Sequence, residues 1–305
     1  MVLNRKSKKN IFIVAMLLVP VVHFIIFWGV VNFNSILLSF KGFSWEAGET
    51  VSWNNFRTNV DDLLFAFRLG DLRKAFVNTF ITSGFLILFM LPWGFFVTYF
   101  LYKRILLRSF WRVILFVPTI IPAIALTTIF KYMITQQNGP FALLLEWISG
   151  KSTPAFLQEP RLMQPTIIFY IFWTSFGGSF ILFSGAMSRI PKEIIESARI
   201  DGTGMWSEML RIILPLCWPT VSMLLLLNLA GVFTATGPII LLKSGSQIDP
   251  GIMTISVWIF TSLFDNFSPN LYGPATLGLI CTAVLFPIIL VVRWLLGRVY
   301  ANVEF

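Results

Sequence analysis

Pro191-Lys192-Glu193-Ile194-Ile195-Glu196-Ser197-Ala198-Arg199-Ile200-Asp201-Gly202 is the most polar stretch in the second half of this chain. Apolar runs of about twenty residues lie on either side, each long enough to cross a bilayer. A polar stretch between two such runs belongs in water. The sequence predicts a helix over 193–199, with Pro191 near its start and acids in its first turns, where they suit the positive end of the helix dipole. Gly202 is expected to end it, because glycine adopts the left-handed backbone that closes helices. A second helix is predicted over 206–213, closed by Pro215. Helix, tight turn and helix would make a compact knob. The plainer alternative is an amphipathic connector lying on the membrane surface.

Composition places the knob in a membrane protein. Of 305 residues, 56% are hydrophobic and 12% charged, against about 25% charged in an ordinary soluble domain. The 32 Phe and 11 Trp suit lipid-facing and interfacial surfaces. The net charge of +9 is not read as a nucleic-acid footprint, because the basic residues cluster in short connections between spans. Cys217 and Cys281 sit at or within apolar runs and read as inert buried thiols. His23 is the only histidine, so no Cys/His metal spacing exists.

Taken in order, Met1–Asn10 is basic and acid-free, and Ile11–Leu38 is the first span. The run is too long for a signal peptide and lacks a small-residue cleavage site, so an uncleaved anchor is expected. Ser39–Lys74 is a polar outer loop. The other spans are Ala75–Tyr102 (interrupted by Pro92), Val113–Ile134 (with Pro118 and Pro122), Gln164–Met187, Thr220–Leu242 and Gly273–Leu296. Outer loops cover 135–163 and 243–272, with a short interfacial helix possible over 251–264. The expected fold is all-α and polytopic, with six transmembrane helices and both termini cytosolic. Residues 1–72 would hold the first span and outer loop. Residues 73–305 would hold a core of five spans, with the polar loop at 188–219. Fourteen of the 23 Lys and Arg fall on the proposed cytosolic side, as the positive-inside rule expects.

All 14 acids fall outside the proposed spans. A proton-coupled carrier usually needs a buried carboxylate or a histidine chain, and the interior offers only His23, read as a helix-packing residue. A sodium-coupled carrier built on backbone carbonyls stays open, although matching broken helices in the two halves are not evident. An intramembrane enzyme would need paired acids, a zinc motif, or a Ser or Cys with a base. No Gly-rich phosphate loop with a Lys is present. A membrane scaffold that merely anchors partners is the other competing class.

Beyond these residues, the spacing carries a resemblance. Glu196-Ser197-Ala198, three residues, Gly202, nine residues, Ile212, one residue, Leu214-Pro215 resembles the coupling loop of ABC transporter permeases, specifically the carbohydrate importers related to the maltose permeases. Ser197 stands where that family usually has Ala. Trp53-Asn54-Asn55-Phe56 and Ala75-Phe76-Val77-Asn78-Thr79 resemble the start of the permease core in the same family. The resemblance implies a type I importer permease in a bacterial plasma membrane, in which Glu196, Ser197, Ala198, Asp201, Gly202, Leu214 and Pro215 form the ATPase-coupling site. It also implies an ATP-binding cassette ATPase dimer, a second related permease forming a heterodimer, and an external sugar-binding protein. ATP and Mg would be bound by the ATPase, leaving no cofactor and no catalysis to this chain. The implied cargo is a carbohydrate, with an oligosaccharide first. A polyol or a glycerol phosphate ester is the alternative.

In the related permeases, the helices flanking the coupling loop line the substrate path. Near mid-membrane those spans offer Trp173, Ser175 and Phe176 on one side and Asn228 and Thr234 on the other. An amide flanked by leucines needs partners in hydrocarbon, so Asn228 is either a pocket residue or an interhelical hydrogen bond. Trp173 and Phe176 are also explained by lipid contact or packing.

The charge pattern generates a topology test. With Cys217 and Cys281 removed, Ser109→Cys and Ser207→Cys should resist an impermeant thiol reagent in intact cells. Ser52→Cys and Ser152→Cys should react. Labelling of position 207 from outside would overturn the scheme.

Overall fold

The computed structural model describes residues 5–44, 48–103, 105–135, 139–234, 237–242, 249–264 and 270–299. They form two compact units: Met1–Leu69 with Thr261–Ala283, and Gly70–Phe260 with Val284–Phe305.

In the first unit, helix α1 (Lys9–Ser39) passes through a π-helical turn at Ile25–Val30. Its side chains are exposed over nearly the whole length, His23 included, whose ring lies 4.6 Å from that of Phe27. Within this chain His23 thus packs on its own helix and faces outward.

The segment after α1 adds a short hairpin to an otherwise helical chain. Strands β1 (Lys41–Ser44) and β2 (Gly48–Val51) pair antiparallel, with Lys41 opposite Val51 and Phe43 opposite Glu49. An isolated hairpin is marginal, and this one is held from outside. Lys41 and Glu49 form an ion pair at 3.0 Å. The Asn55 amide donates to the Thr50 carbonyl at 2.8 Å, and the Asn59 amide donates to Ser39 and Lys41 carbonyls at 3.1 and 3.2 Å. Both asparagines sit on α2 (Trp53–Leu69), so much of the expected polar loop is helical. Hydrogen bonds from Lys41 and then from the Tyr272 hydroxyl hold the Glu49 carboxyl below the usual carboxylate range. The hairpin gains from this charge above the ordinary carboxylate pKa and loses it as pH falls through the lowered value.

In the second unit, α3 (Asp71–Tyr102) begins one turn before the predicted span and runs past Pro92. A proline lacks the N–H and collides with the carbonyl one turn back. Here that preceding turn, Leu86–Met90, is loosened into π geometry and the helix continues.

The predicted third span is not one helix. It is α4 (Arg108–Ile120) and α5 (Ala123–Ile134), set at 109°. Pro122 forces Ile121 out of the helical region, and both residues are extended, with ψ 134°. Then come α6 (Pro140–Ser149) and the long α7 (Pro160–Ser188). Gly177 on α7 lets α4 approach closely: a Cβ there would lie 2.1 Å from Thr119 Oγ1.

The knob follows as α8 (Lys192–Ile200) and α9 (Met205–Leu216). Pro215 does not close α9, contrary to expectation. A π turn at Met209–Ile213 absorbs it, as at Pro92. The break comes at Cys217, and α10 (Trp218–Ala230) leaves at 73°. The predicted fifth span also breaks. Gly231 caps α10, and α11 (Gly237–Leu242) starts afresh, with Pro238 in a position that a first helical turn tolerates. Helix α12 (Ile255–Leu263) falls within the interfacial helix expected over 251–264, but Ile255, Ser256 and Val257 are buried. Helix α13 (Tyr272–Val299) matches the sixth span. Among the described residues, four helices are long and apolar enough to cross a membrane, or up to six crossings if each bent pair counts as one.

One apolar core joins Tyr99 of α3, Phe183 and Met187 of α7, Ile195 of α8, Ile213 of α9 and Leu224 of α10. A second gathers Phe130 of α5, Tyr170 of α7, Ile239 of α11 and Val257 of α12. Between helices in lipid such cores stabilise by close packing, since lipid is as apolar as leucine.

Asn78 on α3 fixes the 250–255 segment. Its amide donates to the carbonyls of Pro250, Gly251 and Met253 at 3.2, 3.0 and 3.0 Å, and its oxygen accepts from Gln164 at 3.3 Å. Asn78→Leu leaves those carbonyls without their donor. It should destabilise the chain by about 1–3 kcal/mol, read as a lowered melting temperature in detergent. An unchanged melt would show that water replaces the amide.

Candidate coupling knob and translocation cavity

Helix α8 has two faces. Ile195 and Ala198 point inward at 7% and 6% exposure, which welds the knob to the first core. Glu196, Ser197, Asp201 and Gly202 are exposed. Ile200, on the outward side, is 86% exposed. Leu214 and Pro215 are half-buried, and Leu214 packs on the core.

Gly202 closes α8 by a specific motif. The Thr203 N–H donates to the Ala198 carbonyl and the Gly202 N–H to the Arg199 carbonyl, both at 3.0 Å. That is the paired bonding of a Schellman cap, which requires its glycine in the left-handed region. Gly202 has φ +71°, and a Cβ there would meet nothing within 4 Å. The constraint is thus on the backbone, not on space.

A buried ion pair that sequence reading missed ties the knob to α3. Lys103 Nζ pairs with the carboxylate of Glu208 on α9, with side chains 17% and 3% exposed. The Tyr99 hydroxyl donates to the Met205 carbonyl at 3.1 Å. Removing one partner of such a pair strands a buried charge, at a typical cost of about 3–5 kcal/mol. From sequence, Lys103 reads only as one of four cations, with Arg104, Arg108 and Arg112, in an acid-free connection placed in the cytosol. Nothing in its spacing to Glu208, 105 residues on, pairs the two.

The five membrane candidates do not form one site. Trp173 lies against the second core, its ring 6.1 Å from that of Phe130, in an apolar pocket with Phe169 and Phe141. Phe176 is 3% exposed and packs with Leu101 and Phe180. Ser175 is exposed, outside both groups. Asn228 and Thr234, by contrast, line a common cavity of about 330 Å³. The polar groups facing them are ones the sequence reading did not select: Thr79, Thr82 and Ser83 of α3, and Thr254. The available signal was their three- and four-residue spacing, which puts polar groups on one side of an apolar helix.

The cavity lies where α10 breaks. Asn228 donates to the Leu224 carbonyl of its own helix at 2.8 Å, so it is not interhelical glue among the described residues. Its amide oxygen and second hydrogen stay available. Thr234 turns back to the Gly231 carbonyl at 3.1 Å. No charged side chain is among the described residues lining the cavity.

Residues 90–304 match the family model described as binding-protein-dependent transport system inner membrane component. The chain belongs to that family. It is therefore an inner membrane component, and the apolar helices are its membrane part. Among curated proteins, it is similar to the maltose/maltodextrin transport system permease protein MalF of Vibrio parahaemolyticus, at 31% identity over 40% of this chain and 23% of that protein. It is also similar to the diacetylchitobiose uptake system permease protein NgcF of Streptomyces coelicolor, at 33% identity over 35% of this chain and 31% of that one. The matches thus span less than a third of those relatives' lengths. In fold, the chain resembles one from the crystal structure of a bacterial ABC transporter involved in import of the acidic polysaccharide alginate. The TM-score is 0.80 at 22% identity, over 96% of this chain and 98% of that chain.

The cap predicts a graded effect in this family member. Gly202→Ala should cost about 1–2 kcal/mol of knob stability, Gly202→Val more because of its β-branch, and Gly202→Asn least. Limited proteolysis at Arg199 reads the order. Equal cleavage in all three would refute the strained cap.

Proposed function

We propose that this chain is one transmembrane subunit of an ATP-driven importer for a carbohydrate, first an oligosaccharide, delivered by an external solute-binding protein. The observation that carries the reading is the uncharged polar cavity at the break of α10. Pockets that hold sugars combine a few hydroxyl and amide groups with apolar walls, and Thr79, Thr82, Ser83, Asn228, Thr234 and Thr254 supply such groups beside Leu86, Ile171 and Leu227. A glycerol phosphate ester fits less well, because the described lining has no cation. Family membership and the sugars in the relatives' names point the same way.

In this reading each bent pair makes one crossing, giving six crossings with both termini cytosolic. An ATP-binding cassette ATPase dimer, which holds ATP and Mg, docks on Glu196, Ser197, Ile200, Asp201 and Gly202. A second, homologous permease completes a heterodimer. Closure of the ATPases draws the knobs together, and each knob moves α3 and α10 with it through the shared core and the Lys103–Glu208 pair. The cavity then opens outward to receive sugar, and hydrolysis returns it inward. This is rigid-element gating.

Asn228→Leu tests it. The substitution keeps the volume close and removes an amide whose loss should lower sugar uptake about tenfold, with assembly and basal ATPase rate intact. Ser175→Ala, outside the cavity, should leave uptake unchanged. Normal uptake by Asn228→Leu would sink the cavity assignment.

A further inference from the structure

A second crevice, of about 450 Å³, lies between α10 and the last turns of α13. Its walls are mostly apolar, with Met223 and Leu226 on one side and Leu296 on the other. Trp218 closes one end, its indole N–H donating to the Leu296 carbonyl at 3.0 Å. Among its lining residues, Arg293 and Ser222 carry a guanidinium and a hydroxyl. Neither makes a hydrogen bond or ion pair among the described residues, and no acid lines the crevice.

Position in the chain gives the depth. The apolar run 273–292 contains no charge, and twenty such residues cross the hydrocarbon of a bilayer. Arg293 is the first charge after it, in the last turn of the span predicted over 273–296, from where a long side chain reaches the lipid phosphates. Trp294 follows, with the Arg298 guanidinium 3.7 Å above its ring, an arrangement suited to the headgroup zone. A guanidinium with no acid beside it among the described residues attracts an anion at this depth. A crevice that turns from cation and hydroxyl at its mouth to apolar walls matches a molecule with phosphate and acyl chain joined. A soluble phosphate would leave those walls wet.

We propose that this crevice binds an anionic glycerophospholipid, its phosphate on Arg293 and Ser222 and an acyl chain along Met223 and Leu226. The site rests only on the chain being a membrane protein, and not on which solute it moves.

The full chain in nanodiscs of phosphatidylcholine with and without phosphatidylglycerol tests this, with retained lipid counted by native mass spectrometry. Phosphatidylglycerol should be retained about fivefold over phosphatidylcholine, the weight of one arginine at a lipid surface. Arg293→Gln should abolish that preference, Arg293→Lys should keep most of it, and Ser222→Ala should reduce it. Soluble glycerol phosphate should not compete. Equal retention of both lipids by the unmodified chain overturns the proposal, whatever the variants do. So does an unchanged preference in Arg293→Gln, or displacement by glycerol phosphate. If Arg293→Gln instead releases another protein chain while lipid retention stays the same, the crevice is a protein interface and the proposal is wrong.

Discussion

The polar cavity depends on two adjacent side chains of α3. Asn78 binds the carbonyls of Pro250, Gly251 and Met253, and Thr79 accepts the Ile255 N–H at 2.9 Å while donating to the Ala75 carbonyl at 2.7 Å. Together they hold the 250–255 segment, and with it Thr254, against the helix that carries Thr82 and Ser83. Non-helical backbone in a membrane protein is tolerated only where its polar groups find partners in protein or line a wet cavity. Asn78 and Thr79 provide those partners on one side. On the other side, the turn after Gly231 is left open to the cavity. The polar lining is thus a consequence of where α10 stops.

The knob depends on a different balance. Its inward face is apolar and its outward face polar, so packing alone would orient it. The buried Lys103–Glu208 pair adds registry. Its Coulomb attraction is offset by the cost of desolvating both charges, so its net stabilisation is small. Movement of α9 away from the end of α3 would strand a charge. The Tyr99 bond to the Met205 carbonyl acts at the same joint. A knob joined to α3 at these points is what the gating proposed above requires.

Proline chemistry explains most differences between the expected and observed helices. Pro92 and Pro215 lie in helical stretches because the preceding turn relaxes to π geometry. Pro122 breaks its span because Ile121, just before it, is extended. Sequence shows the same residue in all three places. Leu91 and Ile213, at the two loosened turns, lie in the first core, and Ile121, at the break, packs on the second.

The sequence by itself determined the membrane class, the approximate position of the apolar runs, the knob and its closure at Gly202. These rest on composition and short-range spacing, and a left-handed glycine cap is decided by bonds within six residues. Tertiary structure alone decided which polar side chains share a cavity. It separated Trp173, Ser175 and Phe176 from Asn228 and Thr234, brought Thr79, Thr82, Ser83 and Thr254 to the latter pair, and joined Lys103 to Glu208. The hairpin at 41–51 was also hidden, because its strands are four residues long and their support comes from Asn55 and Asn59. The physical reason is common to these cases. A helix periodicity tells which residues share a face, but the partner of that face is set by where distant breaks turn the chain.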